Sequence, residues 1–175
     1  EMLKKKPQEV EIFADTIKKM RNDIQFCERC HNVSDQHLCD ICNHPSRDDQ
    51  TVCIVENIRD VMAIESTASY SGTYHVLGGV ISPVDGIGPE DLNIDSLIKR
   101  VQEFEIKELI MAMSPTMEGD TTIFYITRLF QEKPVKITAI SRGVSFGGEL
   151  EYTDELTLAR SIHNRLPFDK YLSQK

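Results

Sequence analysis

The chain has 175 residues, and 28 Asp and Glu against 20 Lys and Arg leave a formal charge of -8. That length suits one compact domain with at most a small satellite, and a 40% hydrophobic content excludes global disorder. No apolar run approaches the ~20 residues of a membrane span, and the acidic balance argues against a surface that binds nucleic acid everywhere.

Residues 1–25 read as a helix, with Phe13, Ile17, Met20 and Ile24 forming one apolar stripe. Lys18, Lys19 and Arg21 line its polar face, either as solvated charges or as phosphate contacts. Residues 26–50 lose apolar content and gain Cys, His, Asn and Asp, so this stretch needs a source of stability other than its own core.

Cys27-Glu-Arg-Cys30 and Cys39-Asp-Ile-Cys42 supply that source. Two C-x2-C pairs this close suit a tetrahedral structural zinc site, because four thiolates around one ion offset the ordering entropy of a coreless segment. Cys27 to His31 also matches the c-type haem pattern, but haem leaves Cys39 and Cys42 without a task. His31, His37 and His44 read as polar surface or as groups around the ligands, and Cys53 as a small core residue. The chain has five cysteines, an odd number with four clustered in one window, which fits a reducing cytosol better than a secreted disulfide framework.

From residue 51 the pattern alternates. Thr51–Glu56 is a short strand, and Asn57 with Asp60 makes a capping box for a helix carrying Ile58, Val61 and Met62. Tyr74–Ile81 reads as the second strand, followed by a turn-rich stretch from Ser82 to Asp91. Ile94, Leu97, Ile98, Val101 and Phe104 mark a helix, and Glu108–Met113 a third strand. Thr121–Glu132 is expected to be helical with Phe124 and Leu129 inward, and Val135–Ile140 is the fourth strand. A loop with Gly143, Gly147 and Gly148 leads to a last helix capped by Thr153, with Leu156, Ala159 and Ile162 along one face. This alternation predicts an α/β domain with a mainly parallel four-stranded sheet covered by helices on both faces.

Glu56 ends the first strand, and Glu118-Gly-Asp120 follows the third. In a 2-1-3-4 strand order these acids converge at the carboxyl edge of the sheet, where ligands bind open α/β sheets. Extended backbone would turn Glu118 and Asp120 to the same side. Clustered carboxylates favour Mg²⁺ or a basic partner. The milder reading makes Asp120 a helix cap and Glu56 an ordinary strand-end acid.

Five blocks carry a resemblance: the four cysteines followed by Asn43–Asp48; Val55–Asp60; Tyr74–Pro83; Ser114–Thr121; and Glu149–Asp154. In this order they resemble the bacterial recombination mediator family RecR over nearly the whole chain. The resemblance implies a four-cysteine zinc finger over 26–50, a Toprim domain over 51–143, and a C-terminal segment over 144–175 with an interface helix. It implies a non-catalytic clamp or scaffold in the bacterial cytoplasm, at the nucleoid, that acts with RecO, and sometimes RecF, to load RecA at single-strand gaps. Glu56, Glu118 and Asp120 then occupy the Toprim acidic positions, with Glu118 in place of the usual first Asp. The alternative is a Mg²⁺-dependent Toprim nuclease or phosphotransferase.

The family begins with a DNA-contacting helix-hairpin-helix that has no counterpart in this sequence, Glu1 aligning with the helix that follows it. The resemblance therefore leads us to expect a dimer instead of the family's tetrameric ring, and weakened DNA binding. Lys18, Lys19, Arg21 and Arg47 are the candidate remaining DNA contacts. Leu150–Glu155 matches the family's Walker B-like segment poorly, and no P-loop occurs.

Overall fold

The computed structural model describes residues 2–144, 147, 149–165 and 167. The chain divides into two compact units between Ala139 and Ile140. The first opens with helix α1 (Pro7–Asp23), preceded by a short 3-10 turn. Pro7 starts α1 well, because its missing N–H is one that no helix start can satisfy. A small ribbon follows, built from strands β1 (Gln25–Phe26) and β2 (Val33–Ser34), paired antiparallel, and the four-residue helix α2 (Asp40–Asn43).

Strands β3 (Asp48–Val55), β4 (Gly72–Val76), β5 (Glu108–Ala112) and β6 (Lys136–Ala139) then form one parallel sheet in the order β4-β3-β5-β6. This is the 2-1-3-4 order that the convergence of the acids requires. Helices α3 (Ile58–Ser66), α4 (Ile94–Glu103) and α5 (Met117–Leu129) make the connections.

Strand alternation divides the core into two faces. Val52, Ile54, Leu109 and Met111 face one way and pack with Leu97 of α4 and with Ile126 and Phe130 of the α5 end. Cys53, Val55, Tyr74, Val76 and Ala112 face the other way and pack with Val61 of α3. Asn57 caps α3 as expected: its side chain accepts from the Arg59 N–H at 2.8 Å, and Asp60 accepts from the Asn57 N–H at 2.9 Å.

Several sequence expectations change. The strand expected over Tyr74–Ile81 runs instead from Gly72 to Val76. Gly78 has φ +89°, a left-handed conformation that ends the extended run and is natural only for glycine. The helix expected from Thr121 begins at Met117, because the Thr116 hydroxyl accepts from the Gly119 N–H at 3.0 Å and caps it four residues earlier.

The same helix turns Gly119, Thr122 and Ile126 inward, while Phe124 (62% exposed) and Leu129 (38%) face outward. A buried hydroxyl decides that phase: Thr122 Oγ accepts from the Ile81 N–H at 2.9 Å and donates to the Glu118 carbonyl at 2.7 Å.

In the second unit, helix α6 (Glu155–His163) is capped by Asp154, which accepts from the Thr157 N–H at 2.8 Å; Thr153 is not the cap. Leu156 and Ile162 are largely exposed on it. Gly148 of the expected glycine-rich loop and the end of the 144–175 segment lie outside the described residues. Among the described residues no helix is long and apolar enough to cross a membrane.

Candidate functional site: a zinc ribbon docked beside an acidic sheet edge

Cys27, Cys30, Cys39 and Cys42 are all buried, and their sulfurs lie within 4.8 Å of one another. Cys30 and Cys39 Sγ are 3.6 Å apart, and all four thiols are free. That separation is too long for a disulfide and close to the ~3.8 Å edge of a tetrahedron whose centre is ~2.3 Å from each sulfur. The Asn32 N–H donates to Cys30 Sγ at 3.5 Å and the Cys39 N–H to Cys27 Sγ at 3.3 Å, which stabilises thiolates. His31 takes a left-handed φ of 61° directly after Cys30, so the chain turns and the first cysteine pair converges.

Contact with Cys39 and Cys42, together with burial, pushes the Cys30 thiol far above its ordinary value. Four buried sulfurs this close need a cation to exist as thiolates. The donor set is closed and all sulfur, which defines a structural zinc site with no open position for chemistry. The three nearby histidines lie outside it: His31 bonds Ser96 Oγ at 2.7 Å, His37 bonds Glu28 at 2.9 Å, and His44 bonds Ser46.

The ribbon is fastened to strand β4, one edge of the sheet. The Val76 N–H donates to the Cys30 carbonyl at 2.8 Å. Arg100 of α4, only 5% exposed, donates to the Tyr74 carbonyl at 2.6 Å and to Thr73 Oγ at 2.7 Å, and reaches the Arg29 carbonyl at 3.5 Å. Burial lowers the Arg100 pKa, while the thiolates of Cys42 and Cys30 favour its charge. Arg29 donates to the Cys42 carbonyl at 3.2 Å and stacks over Phe104, 5.2 Å from the ring centre. Sequence reasoning missed Arg100. The available signal was a guanidinium bordering the apolar stripe of Ile94, Leu97 and Val101.

At the carboxyl edge, Glu56 follows β3 and accepts from the Ser114 N–H, just after β5, at 2.6 Å. This bond ties the carboxyl ends of the two central strands together. Glu118 and Asp120 lie in the first turn of α5, where the helix dipole favours acids. They are therefore helical and not extended, and a two-residue step rotates them about 200° apart instead of to one side.

Gly119 sits between them because a Cβ there would meet the Ser114 carbonyl oxygen at 2.2 Å. Among the described residues, the cysteine set is the only group of three or more Cys, His, Asp or Glu side chains placed to share one ion.

The basic candidates separate. Lys18, Lys19 and Arg21 are exposed on α1. Arg47 is turned inward: it donates to Glu65 at 2.9 Å and to the carbonyls of Tyr70 at 3.2 Å and Gly72 at 3.3 Å. Its guanidinium is held by the fold, so its place among candidate DNA contacts is withdrawn. Tyr74 completes this cluster by donating to Glu65 at 2.6 Å.

These features define a class: a Toprim-type α/β sheet with an acidic carboxyl edge and a structural four-cysteine zinc ribbon on its flank. Family models agree, matching a RecR four-cysteine zinc finger domain over residues 24–44, a Toprim domain over 50–141 and a RecR C-terminal region over 143–166.

The chain is 57% identical over 165 residues to recombination protein RecR of Amoebophilus asiaticus, covering 94% of this chain and 82% of that one. It is 58% identical over 159 residues to that of Bacteroides thetaiotaomicron, covering 91% and 78%. For Flavobacterium johnsoniae the identity is 52% over 169 residues, covering 97% and 82%. The chain belongs to the RecR family of recombination proteins.

Proposed function

We propose that this protein is a non-catalytic recombination mediator: a zinc-stapled scaffold that joins RecO-like and RecF-like partners in loading RecA at single-strand gaps. The acidic carboxyl edge, with Glu56 and Glu118, is the partner-binding face, and Asp120, rotated about 200° from Glu118 around α5, stands outside it. The observation that carries this reading is the engagement of Glu56. A carboxylate that clamps the Ser114 N–H is committed to holding two strands, and it presents a fixed negative edge to a basic surface.

Charge reversal by Glu118→Lys is expected to weaken RecO-like binding at least tenfold, most strongly at low salt, in a binding titration. Mg²⁺-dependent nicking of plasmid DNA by the purified protein, abolished by Glu118→Gln, would replace this reading with the nuclease alternative.

Two further roles accompany the proposal. Leu156, Ala159 and Ile162 on α6 form a self-association stripe that makes the chain a dimer, and Leu156→Asp is expected to give monomers in light scattering. Lys18, Lys19 and Arg21, exposed on α1, are DNA contacts. Replacing all three by Ala is expected to lower the salt dependence of a weak gel shift by up to about three phosphate contacts.

A further inference from the structure

Arg100 is 5% exposed, and its hydrogen bonds go to neutral acceptors: the Tyr74 and Arg29 carbonyls and Thr73 Oγ. Among the described residues no carboxylate forms an ion pair with it. A buried guanidinium is costly unless an opposite charge offsets its lost hydration.

The carboxylates around Arg100 are engaged or in water. Asp49 pairs with Arg29 at 3.4 Å, and Glu28 with His37 at 2.9 Å. Glu103, one turn further along α4, is exposed, as is Lys99 beside Arg100. Both line an open cavity of about 390 Å³ between the ribbon and α4, where solvent screens them.

The remaining negative charge sits in the ribbon. The Arg29 carbonyl that Arg100 reaches belongs to the peptide bond leading into Cys30, whose own carbonyl accepts from the Val76 N–H. Four thiolates around one Zn²⁺ leave a dianion in a buried cluster, which needs an opposite charge as much as Arg100 does. Burial lowers the Arg100 pKa, and the thiolates of Cys42 and Cys30 oppose that more strongly than Asp49 does. Arg29 meets the Cys42 carbonyl at 3.2 Å, but it shares its charge with Asp49.

We propose that Arg100 is the counter-cation of the zinc–thiolate centre. The charge of the metal site, besides its tetrahedral geometry, holds this guanidinium of α4 in the interior, and the guanidinium in turn tightens zinc binding. Linkage makes the two effects equal in free energy. Neither depends on the partner-binding role of the acidic edge.

The test uses the full chain. Competition with a chromogenic chelator reads zinc affinity, and Co²⁺ in place of zinc reports the thiolate-to-metal absorption band. Arg100→Met should weaken zinc about tenfold, the lower end of the loss when a group supporting metal ligands is removed. It should also move the cobalt band to longer wavelength, because the thiolate electrons lose a stabilising charge. Arg100→Lys keeps the charge and should restore most of the affinity and the band position.

Thr73→Asp keeps Arg100 in place but hands it a carboxylate at the position of the Thr73 hydroxyl. It should weaken zinc and shift the band in the same direction, which a purely structural role for Arg100 does not predict. A native far-ultraviolet spectrum establishes that each variant is folded. Unchanged affinity and band in Thr73→Asp, or in Arg100→Met, would overturn the proposal, as would an Arg100→Lys that behaves like Arg100→Met. If Arg100→Met does not fold, Thr73→Asp decides alone.

Discussion

The ribbon and the sheet solve the same problem with different chemistry. The sheet stabilises itself through two apolar faces, where residues such as Ile54, Leu109 and Met111 on one side and Val55 and Val76 on the other are almost fully buried. The ribbon has strands of two residues each, and its buried cluster consists of the four cysteines, with Leu38 and Ile41 only partly covered. A segment of that size cannot bury enough surface to offset its chain entropy, so the metal takes the place of a core. The contrast teaches that the two regions have separate sources of stability joined by a few contacts, chiefly Arg100, the Val76–Cys30 backbone bond and Ile41, which packs against both buried clusters.

Breaking the ribbon's source of stability gives the largest effect. Metal analysis should return about one zinc per chain. Cys39→Ser or chelation should remove hydrogen-exchange protection from residues 27–42 while the sheet keeps most of its own, since the binding energy of a structural zinc, ~10 kcal/mol or more, is folding energy. Simultaneous loss of both regions would show that the sheet depends on the ribbon.

The joint comes next. Arg100→Ala strands the Tyr74 carbonyl and Thr73 hydroxyl in the interior and should cost about 2–4 kcal/mol in urea unfolding, with the ribbon loosening first. Arg100→Met keeps the stem's packing and should recover part of the loss.

Within the sheet, a smaller effect is expected from the Thr122 hydroxyl. Thr122→Val keeps the shape but leaves the Ile81 N–H without its partner, at about 1–3 kcal/mol, measurable as a shifted urea midpoint with an unchanged slope.

The smallest effect is a pH dependence confined to the sheet. Hydrogen bonds from Arg47, and then Tyr74, hold the Glu65 carboxyl below its usual pKa despite partial burial. Its contribution is therefore present above the usual glutamate pKa of ~4.3 and is lost as pH falls through the lower folded value. Acid titration of stability should show this limb, and Glu65→Gln should flatten it while leaving ribbon protection unchanged.

The legible parts of this protein were those written in local spacing. The paired cysteines announced the zinc site because tetrahedral sulfur coordination needs those two short loops. The α3 capping box and the strand–helix alternation were readable because caps and apolar periods act within a few residues.

The less legible parts depend on groups far apart in sequence. The sequence placed the start of α5 too late because Asp120 looked like a cap, whereas Thr116 and the close approach of Gly119 to Ser114 decide it. Phe124 looked like core, yet the helix is phased by Thr122, whose partner is 41 residues away. Arg47 looked like a surface base until Glu65, 18 residues on, folded back to meet it.

The sequence by itself determined the metal site, the element order and the family. Each rests on the identity and short-range spacing of residues, which the chain carries before it folds. Only the tertiary structure decided which polar groups are spent inside, how Glu56 is clamped, and how Arg100 and the Val76–Cys30 bond fasten the ribbon to the sheet. Those outcomes depend on burial, and burial is settled only when distant segments meet.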